Sequence, residues 1–174
     1  MQLATLRKEI SVDAPVGQRA AIVVLGLGNT LLGNDGSGVQ VVQQLRTSCR
    51  APTGVRFVDG GTLSFSLLDE IENVDALIVV DAAQLGEAPG TVHIFKDLAM
   101  DQFLRSKRTC SVHEANLSEF LDMAQKSGHL PSRRAFIGIQ PEVVARHTEV
   151  SPSVRSGLET ACTHVRALIA RWSI

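Results

Sequence analysis

The sequence predicts an α/β fold, a three-layer sandwich in which a mostly parallel, twisted sheet of about five strands carries helices on both faces. Two uninterrupted apolar runs, Ala20-Ala21-Ile22-Val23-Val24-Leu25 and Ala76-Leu77-Ile78-Val79-Val80, read as strands buried on both sides. They alternate with segments whose apolar residues recur at helical spacing. A glycine-studded turn, residues 26–38, joins the first run to the first such segment, giving the strand, turn, helix unit from which parallel sheets are built.

In chain order, residues 1–19 have mixed charge, Pro15, Gly17 and no clear period, and are expected to be an extension open to partial disorder, ahead of a single domain over residues 20–174. After the turn, Val39, Val42 and Leu45 lie on one helical face. Pro52-Thr53-Gly54 marks a second turn, and Val55-Arg56-Phe57-Val58 a short strand ending at Asp59-Gly60-Gly61. A helix over about 64–72 would use Phe65, Leu67, Leu68 and Ile71, and the strand at 76–80 then ends abruptly at Asp81. Glu87-Ala88-Pro89-Gly90 turns into Thr91-Val92-His93-Ile94-Phe95, whose alternation suggests an edge strand, open to antiparallel pairing. Residues 96–107 permit a short helix or a partly ordered loop. Ser111-Val112-His113-Glu114 has the form of a capping box, and Leu117, Phe120, Leu121 and Ala124 stripe the helix that follows, which should stop near Gly128. Ala135-Phe136-Ile137-Gly138-Ile139 is the last strand. A terminal helix from Ser151-Pro152 buries Val154, Leu158, Ala161, Val165, Leu168 and Trp172, with proline in its first turn.

Composition narrows the function classes. A length of 174 residues suits one domain, and a formal net charge of -1 provides no global field for nucleic acid or an anionic membrane. Cys49, Cys110 and Cys162 lie far apart without a CxxC pair, which argues against a zinc knuckle or disulfide framework and suits a reducing cytoplasm. No apolar segment approaches a membrane span and no signal-peptide core is visible, so the expectation is a soluble, cytoplasmic protein.

In open parallel sheets ligands bind beyond the carboxyl ends of the strands. The predicted exits carry Asp35, Asp59, Asp81, Gln140-Pro141-Glu142 and, at the entrance to the penultimate helix, His113. The first turn does not fit a dinucleotide fingerprint, because Leu31 stands where a third glycine is needed, nor a phosphate loop, because the Lys-Ser/Thr pair is absent. Carboxylates with an imidazole form a mixed oxygen and nitrogen set suited to borderline divalent metals. In the first turn of its helix, His113 would be kept neutral by the helix dipole, ready for ligation. Each residue also has a plain structural role open to it. Asp35 can cap a helix, Asp59 can brace the Gly60-Gly61 turn, and His113 can be an exposed first-turn residue. Asp81, ending the most apolar strand, must be solvated, paired or ligated. His93, His129, His147 and His164 lack such company. Cys110 lies three residues before His113, but a buried structural thiol is preferred to a nucleophile. Neither Gly-x-Ser-x-Gly nor His-Glu-x-x-His occurs.

The ordered set Gly26-Leu27-Gly28-Asn29-Thr30-Leu31-Leu32, Gly36-Ser37-Gly38-Val39, Asp59-Gly60-Gly61-Thr62, Val80-Asp81-Ala82, Ser111-x-His113 and Gly138-Ile139-Gln140-Pro141-Glu142 resembles the maturation endopeptidases of nickel-iron hydrogenases. The resemblance runs from about residue 21 into the terminal helix. It implies a peptidase that trims the C-terminal extension of a hydrogenase large-subunit precursor after nickel insertion. The implied partner is the nickel-loaded precursor, with no nucleic acid, no membrane and a monomeric protease. It implies no permanent cofactor, but recognition of the client's nickel through Asp35, Asp81 and His113, a site open to zinc or cadmium as well. Asp35 and Asp81 are the implied catalytic carboxylates, acting as general base, with polarisation of the carbonyl by the metal as the alternative route. The family usually places two adjacent acids in the first loop, whereas this chain has Asn34-Asp35. Two other readings stay open. One is a Rossmann-like nucleotide-binding module with Asp59 facing a ribose; the other is a non-catalytic binding relative. Residues 96–110 are a candidate client contact.

Overall fold

A computed structural model describes residues 21–48, 51–107, 112–142 and 149–173, without the side chains of 107 and 112–115. The extension at 1–19, the cap at Ser111, Cys49, Cys110 and His147 therefore lie outside the described residues. Five strands, β1 (Ile22–Leu27), β2 (Val55–Gly61), β3 (Ala76–Ala82), β4 (Val92–Lys96) and β5 (Arg133–Ile139), form one sheet in the order β2-β1-β3-β5-β4. All neighbours pair in parallel except β4, which runs antiparallel to β5 at the edge.

The alternation of side chains along each strand feeds two cores. On one face Ile22, Val24, Ile78 and Val80 pack against Val41, Val42 and Leu45 of α1 (Ser37–Ser48) and Val154, Leu158, Ala161 and Val165 of α5 (Pro152–Trp172). On the other, Val23, Leu25, Leu77 and Val79 meet Leu117, Phe120, Leu121 and Ala124 of α4 (Val112–Lys126). The central strands are thus covered on both sides, which is why they read as unbroken apolar runs. Among the described residues, no helix is long and apolar enough to cross a membrane.

Two segments differ from the sequence expectation, and a third takes the helical form of the two that the sequence permitted. The helix expected at 64–72 is a 3-10 turn over Phe65–Leu67 followed by the single turn α2 (Leu68–Ile71), and Phe65 is 57% exposed instead of packed. Ser64 caps this turn through its hydroxyl, and the tighter winding carries Phe65 outward while Ile71 stays buried. The strand expected to stop before Asp81 continues through Ala82, because Asp81 and Ala82 still pair with Gly138 and Ile139 of β5. Residues 98–107 form a full helix, α3 (Leu98–Lys107). It starts from Asp97, a non-glycine residue at φ 48°, and is held by the two-point pair of Arg134 with Asp101, Nε to Oδ1 at 3.0 Å and Nη2 to Oδ2 at 2.5 Å. Phe103 stacks on Phe95 at 4.1 Å between centroids and leans on Phe136.

Candidate functional site

The parallel strands all end on one rim, where β1 passes into a 3-10 turn over Thr30–Gly36 and then α1. Close backbone approach shapes this passage. A Cβ on Gly38 would stand 2.0 Å from the carbonyl oxygen of Val80 and 2.5 Å from that of Leu27, so only glycine lets the start of α1 sit on the ends of β1 and β3. Gly28, at φ 125°, likewise admits the carbonyl oxygen of Asp35, which would lie 1.9 Å from a Cβ there.

The turn then braces itself. Asn29 Oδ1 accepts the Leu31 amide at 3.0 Å, Asp35 Oδ2 accepts the Asn29 amide at 3.3 Å, and the Ser37 hydroxyl donates to the Asn34 carbonyl. Asp35 emerges half-buried from this scaffold immediately before α1. The turn bearing Asp35 packs on β3, and the Gly38 that follows it abuts the carbonyl of Val80, the residue before Asp81. Asp81 is 1% exposed, with Oδ1 accepting the Ala82 amide at 2.8 Å. A carboxylate so deeply placed requires compensation by hydrogen bonds, a proton or a cation.

His113 belongs to the first turn of α4, and because α4 leads into the amino end of β5 by way of a turn at Gly128, its own amino end lies toward the carboxyl rim. A groove of ≈ 350 Å³ lined by Leu63, Ser64 and Phe65, just past β2, and by Asn116, Glu119 and Phe120 of α4 marks the same juxtaposition. The His113 side chain is outside the described residues, and among those described no three His, Cys, Asp or Glu side chains group to hold a metal ion.

Asp59 performs its structural role: Oδ1 accepts the Gly61 amide at 3.0 Å at the irregularity where Gly26 pairs with Asp59 but Leu27 with Gly61. His93 and His129 are exposed and face Glu87 and Glu72 at 3.9 and 3.6 Å, while His164 is half-buried. Cys162 is buried against α1, and burial pushes its thiol pKa up, as suits an inert core cysteine.

Sequence reasoning named two further residues without assigning either a role. Gln140 Oε1 gathers the amides of Leu85, Gly86 and Glu87 at 2.8, 3.1 and 3.4 Å, fixing the connection that follows β3. Asn34, set aside in the sequence as a departure from an acidic pair, is buried and accepts the Ser151 amide at 3.1 Å. In the sequence the only signals were their places, a polar residue just past an apolar strand and one beside Asp35.

A family model described as "Hydrogenase maturation protease" matches residues 39–167. The chain is 33% identical over 149 residues to the hydrogenase 2 maturation protease of Escherichia coli, covering 85% of this chain and 90% of that protein. It is 40% identical over 121 residues to the hydrogenase expression/formation protein HoxM of Azotobacter vinelandii, covering 70% of this chain but only 58% of the relative. The solved structure of the hydrogenase maturating endopeptidase HybD from Escherichia coli superposes with a TM-score of 0.81 at 32% identity, covering 88% and 93% of the two chains.

Proposed function

The chain belongs to the hydrogenase maturation protease family, and on that premise we propose that it is the endopeptidase that removes the C-terminal extension of a nickel-iron hydrogenase large-subunit precursor once nickel is inserted. Asp35, Asp81 and His113 offer oxygen and nitrogen donors to the client's nickel, an incomplete shell that the client's own ligands complete. Binding energy then depends on metal loading, so an empty precursor is passed over.

The observation that carries this reading is the placement of Asp81. A strand end buried on both faces is an unfavourable place for a carboxylate, and a cation brought by the client would offset the cost of its burial. Asp35 reaches the same rim on a turn whose bracing leaves little freedom for its backbone. In the cleavage step water adds to the scissile carbonyl carbon, giving one proton to a carboxylate. The C–N bond then breaks as a proton passes to the leaving amine. Asp35 or Asp81 would serve as the general base, and polarisation of the carbonyl by the client's metal is the alternative route. The protease itself carries no permanent metal in this account.

The nucleotide-binding alternative is dropped on family membership. An acidic residue at the mouth of the glycine turn also opposes a phosphate there. The test is mass spectrometry of a nickel-loaded precursor incubated with purified protease. Asp81→Asn and His113→Ala should each lower the cleavage rate by about 10²-fold or more while retaining the far-UV spectrum of the parent. Cleavage at the parent rate by both variants would refute the assignment.

A further inference from the structure

Asn34 lies next to Asp35 but makes a contact of its own, to the far end of the chain. The residue is 8% exposed, and Oδ1 accepts the backbone amide of Ser151 at 3.1 Å. Ser151 is the N-cap of α5, its hydroxyl accepting the Val154 amide at 3.4 Å. A backbone amide is an unambiguous donor, so the amide oxygen of Asn34 must face it.

The local turn does not depend on that side chain. Its closure uses the Asn34 carbonyl, which accepts from Ser37 Oγ, together with the Asn29 and Asp35 contacts. What the side chain adds is a link between the turn and α5, two elements 117 residues apart in sequence. α5 is seated independently: the Gly90 turn fits so closely that a Cβ there would stand 2.1 Å from the Ser153 carbonyl oxygen.

We propose that Asn34 is a positioning residue for metal recognition, fixing the Asp35 turn against the rigid start of α5 so that the Asp35 carboxylate is presented at one place on the rim. The proposal rests on the reading of Asp35 as a nickel ligand. Its chemical content is narrow, because only an acceptor oxygen at this position is required. Aspartate supplies one with the same reach, and alanine supplies none. An adjacent acid at 34 is therefore not needed as a ligand, and asparagine performs the same task without adding a charge.

Calorimetric titration of nickel(II) into the full-length chain tests this, alongside amide exchange at Ser151. Asn34→Ala should bind nickel roughly 10- to 100-fold more weakly, the loss typical when a group that orients a metal ligand is removed, and should expose the Ser151 amide to faster exchange. Asn34→Asp should restore the slow exchange and bind nickel at least as tightly as the parent. A parent-like affinity in Asn34→Ala, with Asp35→Asn strongly weakened, overturns the positioning role and leaves the Asp35 reading standing. Parent-like affinity in Asp35→Asn overturns the Asp35 reading and the proposal with it. Should Asn34→Ala not fold, Asn34→Asp decides alone, since nickel binding weakened 10-fold or more there overturns the proposal.

Discussion

The two ends of the sheet differ in what they offer a ligand. The amino end holds the larger concavity, ≈ 590 Å³, bordered by Asn73, Asp75, His129, Arg133 and Trp172. The carboxyl rim has a smaller groove, but there glycines bring backbone segments into contact and side-chain acceptors lock the turns. Cavity size and chemistry therefore point to opposite ends. A parallel sheet resolves the conflict in favour of the rim, where successive connections deliver residues distant in sequence to one place. At the amino end, Asn73, Asp75 and His129 border solvent.

Substitutions separate the two ends. The largest effect should come from Gly38→Ala, which forces a methyl group into the carbonyls of Val80 and Leu27. Urea unfolding should show a loss of about 4 kcal/mol or more, or no folded protein, and a loss under about 1 kcal/mol would mean that the rim is not tightly seated. An intermediate effect is expected from Arg134→Met, at the start of β5. The guanidinium and Asp101 are largely buried, at 12% and 20% side-chain exposure, and the Asp101 hydrogen bond holds the Arg134 pKa up against desolvation. Its loss should destabilise by roughly 1–3 kcal/mol while cleavage by the folded fraction stays at the parent rate. The smallest effect belongs to His129→Ala in the amino-end cavity, where the contact with Glu72 is exposed: a stability change within about 0.5 kcal/mol and unaltered cleavage. Cleavage lost through His129→Ala would place function at the larger cavity.

Elements with a strong period were legible in the sequence. β1 and β3 declared themselves by burial on both faces, α4 and α5 by their stripes, and β4 as an edge strand by alternation. The weak segments were decided by contacts invisible to periodicity. α3 is held through Arg134, some thirty residues downstream, and begins at a left-handed Asp97 that no local pattern announces. Phe65 was misplaced because one turn of 3-10 winding suffices to move a side chain out of a core. At the candidate site, Asp35 and Asp81 were singled out from their positions at strand exits and both lie on the carboxyl rim, while Asp59 braces its own turn. Asn34 and Gln140 were named but given no role, because their significance lies in acceptor geometry across the fold, with donors at Ser151 and at residues 85–87.

Metal loading is the proposed condition for cleavage. Its most direct test presents the parent protease with one large-subunit precursor prepared in two forms, nickel-loaded and nickel-free, and follows the C-terminal truncation of each by intact-mass spectrometry. Truncation is expected of the loaded form only. Equal truncation of both would contradict it, leaving Asp35, Asp81 and His113 without a metal to read.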